Sequence, residues 1–136
     1  MQSEFPGKVR IAYKDFPLSF HAGAQPAAEA ARCATPYGRY WQYHDLLFAG
    51  PAAFSRADLL TYAARLDLPR DAFAQCLDSG QSRDAVLADL REGRAMGVSG
   101  TPTFFINGRR LVGAQPIEAF REAVEDALRD RPVSRP

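Results

Sequence analysis

The dipeptide Asn107-Gly108 constrains this chain more than any other feature. It stands between "TFFI", a short β-branched and aromatic run, and the returning run "RRLVG". A two-residue hairpin turn of the favoured type needs positive φ at both central positions, and Asn-Gly reaches them at little steric cost. The segment therefore predicts an antiparallel strand pair. Just ahead of it stands Thr101-Pro102. Proline has no N–H to donate to a neighbouring strand, and a Thr-Pro tertiary amide reaches the cis form for about 0.5–1 kcal/mol. A cis bond there turns the chain sharply and leaves the Thr101 backbone outward, where an extended peptide can pair with it. The plain alternative is a trans proline marking the start of a strand.

The chain before this segment has another texture. Lys8 to Tyr13, "KVRIAY", alternates polar and apolar with Val9 and Ile11 on one face, which predicts a strand. Pro17 ends it. From about Ala24 to Met96 the pattern is helical. "QPAAEAARCA" carries Pro26 in its first turn. "GRYWQYHDLLFA" sets Tyr40, His44, Leu47 and Phe48 along one stripe, and "SRADLLTYAARL" opens with Ser55 as N-cap and Asp58 three residues on. "PRDAFAQCL" and "SRDAVLADLREGRAMG" supply two more helices, and Gly50-Pro51 and Ser79-Gly80 are the clearest breaks. After the hairpin, Gln115-Pro116 starts a helix with Ile117, Phe120, Val124 and Leu128 on one face. The tail, 130–136, is expected to fray. Strand, five helices, strand, hairpin strand and helix together predict an α/β domain over 1–136. Its parallel strand pair is joined through a helical subdomain, 22–97, inserted between the strands.

Composition excludes more than it selects. With 136 residues and a formal net charge of +1, the chain fits one domain and gives no case for nucleic acid or an anionic membrane as partner. No apolar run approaches the roughly 18 residues of a membrane span, and the first residues lack a signal-peptide pattern.

The chain has two cysteines and no Cys-x-x-Cys. Cys33 and Cys76 lie on separate predicted helices. They are open to three readings: a structural disulfide, two buried thiols, or a redox pair with no visible device to activate it. Together with His21 and His44 they make a zinc ligand count, but neither C-x₂₋₄-C nor H-x₃₋₅-H is present, so no metal is expected. His44 is expected to pack beside Trp41 and Leu47, and His21 to face solvent or cap a helix. Asp15 is either a buried acid that aids proton transfer or, more simply, an exposed turn carboxylate. Tyr40, Tyr43 and Phe48 are expected in the core.

The strings "KDFPLSFH", "AAEAARCA", "YHDLLF", "CLDSG", "GVSGTPTFFINGRRLVGAQP" and "FREAVEDAL" occur in this order. In this the chain resembles the DsbA-like thiol–disulfide oxidoreductases from Phe5 to about Leu128. The resemblance implies a thioredoxin-like α/β fold with an inserted α-helical subdomain. It also implies that Thr101 and Pro102 form a cis-proline loop that lies against the redox site and contacts substrate. The expected substrates are protein or peptide thiols and disulfides, with no cofactor, and the compartment is periplasmic or otherwise extracytoplasmic. Members of that family begin with a strand and a Cys-x-x-Cys helix, which the match here lacks. The chain is thus expected to be an N-terminally incomplete member with no catalytic residue of its own, and its open sheet edge is expected to favour self-association. Disulfide exchange needs an attacking thiolate, and Pro102 supplies none. Two other functions fit the same residues: a glutathione-using isomerase or kappa-class transferase, and a peptide-binding module without chemistry.

Overall fold

The computed structural model describes residues 1–130; residues 131–136 of the expected frayed tail lie outside the described part. The chain divides into two compact units, Lys14–Met96 and residues 1–13 with those from 97 onward.

The Lys14–Met96 unit is helical. It contains α1 (Ala24–Cys33), a 3-10 turn (Thr35–Tyr37), α2 (Tyr40–Ala49), α3 (Arg56–Arg65), α4 (Arg70–Ser79) and α5 (Arg83–Ala95). Ser55 and Asp58 form the reciprocal capping box that their spacing predicts, so two backbone N–H groups at the start of α3 are satisfied by side chains. Gly80 ends α4 in the left-handed region, φ +65°, which a side chain would resist. The core is built on α1 and the residue that caps it: Ala27, Ala30 and Ala31 of the helix and Ala34 just after it are all buried. Such small residues let neighbouring helices approach closely, and Tyr43 of α2, Leu59 of α3 and Phe73 of α4 fill the same cluster. Tyr43 is fully enclosed, and its hydroxyl donates to the Leu59 carbonyl at 2.8 Å, so the ring is buried without stranding its polar end.

The other unit holds β1 (Thr103–Ile106), β2 (Arg109–Val112) and α6 (Ile117–Arg129). The strands pair antiparallel, with Ile106 opposite Arg109 and Thr103 opposite Val112. Asn107 at φ +49° and Gly108 at φ +88° supply the two positive torsions of the turn. Helix α6 lays its apolar stripe on β1, with Phe120 edge-on to Phe104 at 4.8 Å between ring centroids, and Ala123 and Val124 buried. Arg121 on α6 donates to both carboxylate oxygens of Glu4, tying the N-terminal segment to this helix.

One expectation fails here. Residues 8–13 belong to no strand, and the sheet among the described residues has only the antiparallel pair β1 and β2, with no parallel partner. Ile11 is 51% exposed. Alternation in a sequence says which side chains share a face, whereas a strand exists only where a neighbouring backbone completes its ladder.

Candidate functional site

The loop before β1 is fastened from within. The Thr101–Pro102 peptide bond is cis. The Pro102 carbonyl accepts the Gly113 N–H at 2.8 Å, closing the base of the hairpin. The Thr103 hydroxyl donates to the Gly100 carbonyl at 2.7 Å, folding the approach to the strand back on itself. Thr101 and Pro102 are themselves exposed. The result is a surface turn with a fixed floor and an open outer side, a geometry suited to holding an extended chain. Thr101, Pro102 and Thr103 carry no thiol, carboxyl, amine or imidazole, and what the turn offers is exposed backbone at a fixed position.

In the helical unit Cys33 and Cys76 form a disulfide, with Cα atoms 6.0 Å apart, joining the end of α1 to α4. In this state neither sulfur offers a thiolate to a metal or to a substrate.

Asp15 is not an exposed turn carboxylate. It is 5% exposed, its carboxylate accepts Arg32 Nε at 2.5 Å, and its backbone N–H donates to Asp89 Oδ2 at 2.9 Å. Arg32 also donates through Nη2 to Asp89 Oδ2 at 2.5 Å, so one guanidinium from α1 bridges two buried acids. Burial pushes the Asp15 carboxyl above the usual carboxylate range, against the opposing pull of the Arg32 hydrogen bond and charge. Lys14 extends the cluster, donating to Glu92 at 3.1 Å and standing 3.6 Å from Asp89. Sequence reading missed Asp89, Arg32 and Glu92 because nothing local marks them. Their partners lie up to 78 positions away.

The remaining candidates fall apart spatially. His44 stacks between Trp41 and Phe48, with ring centroids 5.2 and 4.6 Å away, and its Nδ1 lies 3.1 Å from Asp45. His21 is exposed, and its carbonyl, not its ring, accepts the first N–H of α1, that of Ala24. Of the aromatic trio placed in the core, only Tyr43 is fully there. Tyr40 is half-buried and Phe48 is 70% exposed. Five residues at about 100° each carry Phe48 roughly 140° round the helix from Tyr43, onto the outer face.

A fastened proline turn feeding a tight hairpin, with a C-terminal helix laid on the first strand, places this protein in the thioredoxin-like class of α/β folds. A thioredoxin family model matches residues 2–126, and the chain belongs to the thioredoxin family, whose general type is thiol–disulfide oxidoreductase. Among curated relatives, the Na+/H+ antiporter NhaA 3 of Salinispora tropica is 44% identical over 121 residues, covering 88% of this chain and 19% of the antiporter. The antiporter NhaA 1 of Salinispora arenicola is 43% identical over the same length, and NhaA of Nitrosospira multiformis 33% over 129 residues, or 94% of this chain and 21% of the antiporter. The chain thus spans about a fifth of the length of these relatives. No solved structure matches.

Proposed function

We propose that this chain positions an extended polypeptide at Thr101-Pro102 for thiol–disulfide exchange of the DsbA-like kind, with the exchanging dithiol supplied from outside these residues. The observation that carries the reading is the loop itself. Its inner side is pinned by the Pro102–Gly113 and Thr103–Gly100 hydrogen bonds, while Thr101 stays exposed. A pinned, open turn offers backbone to a substrate without having to order first.

The antiporter names belong to relatives of which this chain matches about a fifth. Among the described residues no helix is long and apolar enough to cross a membrane. We read the part of those proteins that matches here as a thioredoxin-like unit, about a fifth of their length.

The test joins a strand and Cys-x-x-Cys helix to the N-terminus of this chain and follows reduction of a glutathionylated peptide. The joined protein is expected to turn over and the unjoined chain to stay silent. Thr101→Arg should lower kcat/KM for the peptide about tenfold while leaving reaction with a small disulfide unchanged. Equal loss on both substrates, or none on either, would remove the positioning role. Running the joined protein also as Cys33→Ser/Cys76→Ser keeps this result separate from anything the helical disulfide does.

A further inference from the structure

The helical unit contains a pair of sulfurs that the Thr101 loop does not use, and they are unequally covered. Cys33 is 2% exposed at the end of α1, whereas Cys76 on α4 is half-buried. Ser82 stands over both. Its Oγ lies 3.7 Å from Cys33 Sγ and 3.9 Å from Cys76 Sγ.

Ser82 occupies the N-cap of α5, where a serine ordinarily accepts a backbone N–H from the first turn. Its side chain makes no such bond. The hydroxyl is turned toward sulfur instead of toward its own helix. The same position sets it at the electropositive end of the 13-residue α5, which also favours negative charge nearby. The surrounding core does not hang on the bridge alone, since Tyr43, Leu59 and Phe73 are fully buried in the same cluster.

We propose that Cys33–Cys76 is an exchangeable disulfide switch, opened by a dithiol that attacks the more accessible Cys76 sulfur while Ser82 stabilises the departing Cys33 sulfur. The incoming thiolate bonds to Cys76 Sγ as the Cys33–Cys76 bond breaks. The bonding electrons leave on Cys33, which faces the Ser82 hydroxyl and then takes a proton from water. The second thiol of the reductant, as thiolate, attacks its own sulfur in the mixed disulfide and releases Cys76, which is protonated in turn. The dithiol ends as a disulfide, and this protein's disulfide has accepted two electrons and two protons. Opened, α4 is held to α1 by packing only.

The full chain is incubated with dithiothreitol in native buffer, quenched with a maleimide and weighed, with helicity followed by far-UV circular dichroism. Both cysteines should label while the helical signal persists, and glutathione, a monothiol, should leave its first adduct on Cys76. Ser82→Ala should slow opening about fivefold, the loss of one hydrogen bond to a developing thiolate, and Ser82→Thr should restore it. Because Ser82 caps nothing, Ser82→Ala should keep wild-type helicity. A bridge that opens only in denaturant, a first adduct on Cys33, or wild-type opening in Ser82→Ala would each overturn the switch. Loss of helicity in Ser82→Ala would show that the hydroxyl serves the helix and not the sulfurs.

Discussion

The two units of this molecule bury apolar surface to different degrees. In the Lys14–Met96 unit, large side chains such as Tyr43, Leu59 and Phe73 are fully enclosed. Among the described residues of the hairpin unit the buried hydrophobic residues are Ala123 and Val124, both small, while Phe104, Phe105, Val112, Ile117 and Ile11 remain exposed. Free energy of burial follows area removed from water, about 25 cal/mol per Å². The helical unit is therefore expected to lose more stability than the hairpin unit when an enclosed side chain is truncated. The difference teaches that the part of this chain with the enclosed core is not the part that presents the exposed Thr101-Pro102 turn.

That contrast can be broken in order of expected size. Phe73→Ala should cost about 3–5 kcal/mol in urea unfolding, as a large enclosed ring is replaced by a cavity. If it costs less than 1 kcal/mol, the helical core is not the stabilising element. Replacing both Cys33 and Cys76 by serine should cost up to about 4 kcal/mol for a loop of 43 residues, with the chain still folding. Complete loss of the thermal transition would mean that the bridge, more than the packing, makes the helical unit. Phe104→Ala in the hairpin should cost about 1–2 kcal/mol, less than Phe73→Ala, because the ring is already 38% exposed and packs edge-to-face with Phe120.

The smallest effects have opposite signs in the two units. Burial raises the Asp15 carboxyl, so the folded chain binds that proton more tightly than the unfolded chain does. Asp15's own contribution to stability is thus complete below the ordinary carboxylate range and lost as pH rises through its raised value. The stability of wild type relative to Asp15→Asn should fall across that window. In the hairpin unit, the Arg121 hydrogen bond lowers the Glu4 carboxyl. Its contribution is present above the ordinary range and lost as pH falls through the lowered value, so wild type relative to Glu4→Gln should weaken on acidification. Urea midpoints measured for the three proteins from pH 3 to pH 7 separate the two slopes. Slopes of one sign for both residues would show that Arg32, more than burial, governs Asp15.

What the sequence disclosed follows the range of the interactions involved. The hairpin was legible because the Asn107-Gly108 torsions are set within two residues. The start of α3 was legible because Ser55 and Asp58 satisfy each other across three. Residues 8–13 were misread because their alternating pattern is real but no neighbouring backbone completes the ladder. Asp15 was left open between buried and exposed because Arg32 and Asp89, which hold it buried, sit 17 and 74 positions away. Phe48 was misread because the inward face of α2 runs through Tyr43 with Tyr40, Leu46 and Leu47 beside it, and Phe48 falls outside that face at 70% exposed. Ser82 gave no signal at all. A serine before a helix reads as a cap, and only the structure turns its hydroxyl toward the two sulfurs.

One contact reaches beyond stability. Lys14 and Glu92, 78 positions apart, meet at 3.1 Å. The helical unit therefore leaves the polypeptide where it joined it. A segment whose two ends touch adds little closure entropy to whatever chain carries it, since its host sees one short gap in place of a long loop. Lys14 and Glu92 act as a staple, closing the first residue of the helical unit against its last helix.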